Sequence, residues 1–126
     1  MCRPTLIEPT AESTRETKLE ILGLRNPLFM HQVSYVSNDV CLGGDTARTL
    51  LITGPNMGGK STLLRATALA VVLAQIGCYV TAESYTATLV DHIFTRIGAT
   101  DQILTNKSTF FVELEETNQI LLHASE

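Results

Sequence analysis

Apolar residues in this chain fall into short runs, separated by polar stretches that carry glycine, proline or asparagine. Residues 20–24, EILGL, predict a short strand, and Asn26-Pro27 a turn, because the residue before proline is pushed out of the helical region. Residues 33–42, VSYVSNDVCL, are rich in β-branched side chains and predict a strand interrupted at Ser37-Asn38-Asp39. A turn at Gly43-Gly44-Asp45 leads to residues 49–53, TLLIT, a continuous apolar run of the kind buried on both faces of a parallel sheet. A glycine-rich loop, residues 54–59, follows. Residues 60–76 predict a helix with apolar side chains nearly all round its axis, and hence a helix packed inside, with Gly77 at its C-terminal cap. Residues 78–80, 86–90 and 92–97 read as short strands. Ser108 or Thr109 opens a last helix on which Phe110, Leu114, Thr117, Leu121 and Ala124 share a face, with Glu113, Glu115 and Glu116 on solvated surface. Residues 9–18, PTAESTRETK, form a polar connector. Strand, loop, buried helix and further strands make an α/β pattern.

Composition narrows this picture. With 126 residues the chain is one domain at most, and 44% hydrophobic residues are enough for a core. Nine Lys+Arg against 13 Asp+Glu give a net charge of −4, which offers no electrostatic footprint for a phosphate backbone or an anionic membrane. Cys2, Cys41 and Cys78 are odd in number and far apart, so neither a disulfide framework nor a zinc site is predicted. The longest apolar stretch, residues 66–76, is about half of a membrane span, and no signal peptide pattern is present. His31, His92 and His123 have no partner at useful spacing and are read as structural.

The chemistry lies in Gly54-Pro55-Asn56-Met57-Gly58-Gly59-Lys60-Ser61, which matches G-x-x-x-x-G-K-[ST] at every fixed position, between an expected strand and an expected helix. Glycines at 54, 58 and 59 allow backbone angles and close approach that a Cβ would block, so successive N–H groups can curl around a phosphate. The helix starting near Lys60 adds its positive end. Lys60 would reach the β- and γ-phosphates, Ser61 would ligate Mg²⁺, and Thr62 would contact the α-phosphate. The motif predicts binding of a nucleoside triphosphate with Mg²⁺. Hydrolysis needs a further carboxylate, and Asp91, after the apolar residues 86–90, is a superficial fit. If Asp91 served, the chain would be a small stand-alone P-loop kinase; against that, few cations remain for a phosphate lid. A third possibility is a non-catalytic nucleotide-binding or dimerisation fragment.

The loop residues Pro55-Asn56-Met57-Gly58 are unusual, and TGPNMGGKST, residues 53–62, resembles the Walker A motif of the MutS family of DNA mismatch repair ATPases. The resemblance continues through QIGCYV at 75–80, FTRIGA at 94–99 and STFFVELEET at 108–117, covers roughly residues 20–126, and with Met1-Cys2-Arg3-Pro4 looks most like the eukaryotic sixth-homologue branch. It implies a P-loop NTPase fold of the ABC-ATPase type, with residues 1–19 as an N-terminal connector and 20–126 as the N-terminal half of the ATPase domain. Walker A is present; Walker B, an apolar strand ending Asp-Glu, is expected to follow residue 126, which leaves Asp91 outside it. Asn56 would face the γ-phosphate. Tyr35 would stack on adenine and Asn38 hydrogen-bond to it, the alternative for Tyr35 being a core aromatic on a strand. Ser108 would complete the ATP site of the opposite subunit, compatibly with capping its own helix. The resemblance further implies a nuclear protein, heterodimeric with a second-homologue subunit. Its mismatched-DNA contacts would reside in domains absent from these residues, ATP binding and hydrolysis would close the dimer interface and convert mismatch recognition into a sliding clamp in the full protein, and this segment alone would turn over ATP negligibly.

Overall fold

The computed structural model describes residues 1–8, 17–29, 31–32, 34–96 and 109–124. They form two compact units, Met1–Leu89 and Val90–Glu126. The architecture is mixed α/β. In the first unit four strands, β1 (Thr5–Ile7), β2 (Lys18–Leu24), β3 (Asn38–Gly43) and β4 (Ser84–Thr88), make one sheet in the order β1-β4-β2-β3. β1 runs parallel to β4, whereas β2 is antiparallel to both β3 and β4.

Alternation sets the core. On β2 Ile21 points inward and Leu22 outward, on β3 Val40 is buried, and on β4 Tyr85 and Ala87 are buried between half-exposed Thr86 and Thr88. Between Ile21 and Leu24 the β2–β3 register shifts at Gly23, whose φ is +61°, and the Asp39 carboxylate takes the Gly23 N–H at 2.7 Å. That side-chain bond replaces the ladder bond lost at the bulge. Opposite the sheet, Ala66, Ala70 and Ala74 of α1 (Lys60–Gln75) recur every fourth residue, on one face, and join Ile21, Leu24, Val40, Val80 and Tyr85 in a single cluster. Burying Ile21, Leu24, Val40 and Val80 contributes about 1.5–3 kcal/mol each.

α1 ends as its sequence predicts. Gly77 adopts φ +82°, its N–H bonds to the Ala74 carbonyl at 3.1 Å, and the Cys78 N–H bonds to the Leu73 carbonyl at 2.9 Å, which is a Schellman cap. The expectation that α1 packs inside on all sides is corrected, since Leu64, Val72 and Ile76 are exposed. The sheet covers one side of the helix only.

Four expected strands also differ. Residues 49–53 form no strand, and Leu51 is 86% exposed. A strand is held by a neighbour's backbone hydrogen bonds, and among the described residues none runs beside this segment. Residues 78–80 contribute one bridge, Val80 to Cys2. Residues 92–96 are not strand; residue 97 lies outside the described residues. The expected strand at 86–90 is displaced to Ser84–Thr88, so Asp91 does not end it.

In the second unit α2 spans Thr109–His123, as its periodicity predicts. Arg96 pairs with Glu113 at 2.5 Å, so Glu113 is not simply a solvated carboxylate. His92 stacks on Phe94 with centroids 5.6 Å apart and lies 3.2 Å from an Asp91 oxygen, and the His123 ring is 2.9 Å from the Gln119 carbonyl, so both histidines have partners after all. No described helix is long and apolar enough to cross a membrane.

Candidate nucleotide-binding site

The glycine loop winds tightly into α1. The Gly58 N–H bonds to the Pro55 carbonyl at 3.1 Å, closing a turn in which Met57 takes φ +64° with its side chain in solvent. A left-handed methionine is strained by about 1–2 kcal/mol relative to glycine. Gly59, at φ +84°, is the N-cap of α1 and brings no side-chain cap, so the first N–H groups of the helix are left to a ligand or solvent. No acidic residue occupies the first turn of α1. The positive end of the helix is therefore not neutralised locally.

Lys60 reaches back over the loop. Its Nζ donates to the carbonyls of Gly54 and Pro55, both at 2.6 Å. Two of the three ammonium donors are thus held at the loop mouth, where the positive charge offsets carbonyl oxygens that would repel an anion.

A second wall comes from the segment after β2. Asn26, buried, accepts the Leu28 N–H on its Oδ1 at 3.0 Å, and its own N–H donates to the Tyr35 hydroxyl at 3.2 Å. Backbone bonds then advance by threes, from Phe29 N–H to Asn26, Gln32 N–H to Phe29 and Tyr35 N–H to Gln32. The Arg25 guanidinium lies over the Tyr35 ring, 6.0 Å from its centroid. The Asn38 amide donates to the Val36 carbonyl at 3.1 Å.

These two walls enclose one cavity of about 670 Å³. Gly58, Gly59, Lys60 and Thr62 line it on the loop side, and Phe29, Gln32, Tyr35 and Asn38 on the other. Of the residues expected from sequence, Tyr35, Asn38, Gly58, Gly59, Lys60 and Thr62 are therefore brought together. Gly54, Asn56 and Ser61 lie on or beside the same loop but do not line the cavity, and Ser61 is exposed in the first turn of α1. Ser108 lies outside the described residues. Phe29 and Gln32 were not foreseen. Their signal is spacing: Phe29, Gln32, Tyr35 and Asn38 recur every third residue, although Ser34 and Val36 also reach the cavity around Tyr35.

As a metal site the arrangement is spare. No group of three or more His, Cys, Asp or Glu among the described residues could hold an ion. A single hydroxyl, Ser61, fits an ion that arrives with its other oxygens supplied by phosphate and water.

Residues 50–126, more than half of the chain, match the family model of MutS domain V. The chain belongs to the MutS family. It is 44% identical over 135 residues to the DNA mismatch repair protein Msh6 of Gallus gallus, covering 100% of this chain and 10% of that protein. It is 48% identical over 125 residues to the DNA mismatch repair protein MSH3 of Phaeosphaeria nodorum, covering 98% of this chain and 11% of that protein. To the DNA mismatch repair protein MutS of Symbiobacterium thermophilum it is 50% identical over 113 residues, covering 87% and 13%. These identities do not single out one branch of the family. The chain spans about a tenth of the length of these MutS relatives.

Proposed function

We propose that this MutS segment binds ATP with Mg²⁺ and is the nucleotide-holding part of a DNA mismatch repair ATPase. The observation that carries the reading is the shared cavity, in which the glycine loop and the Tyr35–Asn38 wall face the same space. The triphosphate lies over Gly58 and Gly59, with backbone N–H groups and the end of α1 as donors. Lys60 exchanges one of its loop carbonyls for a phosphate oxygen, and Asn56 and Thr62 add weaker contacts. Ser61 would hold Mg²⁺, which would supply positive charge against the phosphates. The adenine stacks on the Tyr35 face away from Arg25, with the Asn38 amide oxygen, the part not used on Val36, within its reach.

In the full protein we read this segment as one half of a P-loop ATPase domain of the ABC type, paired with a second MutS-family subunit whose site Ser108 completes. ATP binding and hydrolysis there would close the dimer interface and convert mismatch recognition into a sliding clamp, in the nucleus, with DNA held by other domains. The relatives named as DNA mismatch repair proteins support this setting. The kinase alternative is not favoured, because Asp91 does not end a strand and sits against His92. The test is titration calorimetry of the chain with ATP and Mg²⁺. Binding that Lys60→Ala removes, with negligible phosphate release, is expected; turnover at an ordinary enzymatic rate would overturn the reading.

A further inference from the structure

We infer that Gln32 is a specificity-determining residue of this site, reading the six-position edge of an adenine base and rejecting guanine. This rests on the reading that the cavity holds a nucleoside triphosphate. Three observations carry it. Gln32 lines the same cavity as Lys60 and Tyr35, on the wall opposite the glycine loop. Its backbone is fixed at both ends of a run of turns, the N–H donating to Phe29 at 3.0 Å and the carbonyl accepting from Tyr35 at 3.1 Å, so the residue is placed relative to the ring on which the base would stack. Its side-chain amide makes no hydrogen bond among the described residues, whereas the Asn38 amide nitrogen is already engaged by Val36.

The chemistry of the amide supplies the selectivity. A glutamine offers one acceptor and one donor side by side. Adenine presents the complementary pair, the N6–H donor and the N7 acceptor, while guanine presents two acceptors, O6 and N7, along the same edge. The amide oxygen of Gln32 takes the N6–H and its NH₂ gives to N7; against guanine one of these contacts becomes a clash of lone pairs. Phe29, beside it on the same wall, is half-exposed and sets an apolar surface next to that edge. Neither residue belongs to the glycine loop, so the phosphates do not feel their loss.

The experiment is titration calorimetry of the chain with ATP, GTP, 7-deaza-ATP and inorganic triphosphate, each with Mg²⁺, on wild type, Gln32→Ala and Lys60→Ala. Gln32 is exposed, so its truncation leaves the fold intact. Wild type is expected to prefer ATP to GTP by about tenfold or more, and ATP to 7-deaza-ATP, which lacks the N7 acceptor, by several-fold. In Gln32→Ala both preferences collapse towards one while inorganic triphosphate binds as in wild type. If wild type binds ATP in a Lys60-dependent way and Gln32→Ala keeps the same ratios, the assignment of Gln32 falls and the nucleotide site stands. If no ligand shows Lys60-dependent binding, the nucleotide site itself falls, and Gln32 with it.

Discussion

The two walls of the cavity are built by different means. The loop side is local: eleven consecutive residues, 53–63, running into the first turn of α1, contain the glycines, the lysine and the hydroxyls, and the backbone itself is the chief binding group. The base side is assembled at a distance, from the end of β2 through Asn26 to Tyr35 and on to Asn38 at the start of β3, and its side chains are held by contacts such as Asn26 to Tyr35 and Arg25 over the Tyr35 ring. One wall depends on a motif, the other on a sheet. Substitutions should therefore separate them, with binding lost through the loop and stability lost through the sheet.

The largest effect is expected at the sheet end of this comparison. Gly43, which closes β3, sits at φ +72°, and a Cβ there would come within 1.8 Å of the Thr17 carbonyl oxygen. Gly43→Ala should cost about 3 kcal/mol in urea unfolding, since backbone must move to admit it. An unchanged midpoint would mean that β3 does not support the base side. Next comes the loop: Lys60→Ala should weaken ATP roughly 100-fold, about 2.7 kcal/mol, with little change in thermal midpoint because the lysine is not in the core. On the base side, Tyr35→Ala should weaken ATP about tenfold, the usual worth of one base–aromatic stack.

Two smaller effects sharpen the contrast by leaving binding alone or nearly so. Met57→Gly should stabilise the fold by up to about 1 kcal/mol, relief of left-handed strain outweighing the entropy that glycine adds to the unfolded chain. Tyr85, in the sheet core, has a buried hydroxyl without a hydrogen-bond partner among the described residues, and burial pushes its pKa up to about 12. Because the folded value lies above the ordinary one near 10, its contribution is intact below pH 10 and is lost as the pH rises from 10 towards 12. Tyr85→Phe should be neutral or stabilising by about 1 kcal/mol at pH 7 and should reduce that alkaline loss, measured by denaturant unfolding across the range.

What the sequence made legible follows the same division. The loop, α1 and its Gly77 cap are short-range features, and each lies where its residues predict. β4 was misplaced by two residues because the apolar Leu89 and Val90 invite a strand, whereas register with β2 puts Tyr85 and Ala87 inward and leaves Leu89 exposed. β1 was not anticipated at all, since Thr5–Ile7 has no strong pattern of its own and is fixed by parallel pairing with Thr86 to Thr88, some eighty residues away. The apolar run at residues 49–53 differs in the opposite direction: a strong strand pattern makes no ladder where, among the described residues, no neighbouring strand runs beside it. At the site, Tyr35 and Asn38 were accessible through family resemblance, but Phe29 and Gln32 required the run of three-residue turns that points them at the same space.

The central claim is that one cavity holds the phosphates on the Lys60 wall and the base on the Tyr35 wall. Its most direct test is the binding of ATP and of inorganic triphosphate, each with Mg²⁺, to wild type, Lys60→Ala and Tyr35→Ala. The account predicts that Lys60→Ala weakens both ligands together, while Tyr35→Ala weakens ATP about tenfold and leaves inorganic triphosphate unchanged. Equal loss of both ligands in Tyr35→Ala, or ATP binding untouched by Lys60→Ala, would contradict it.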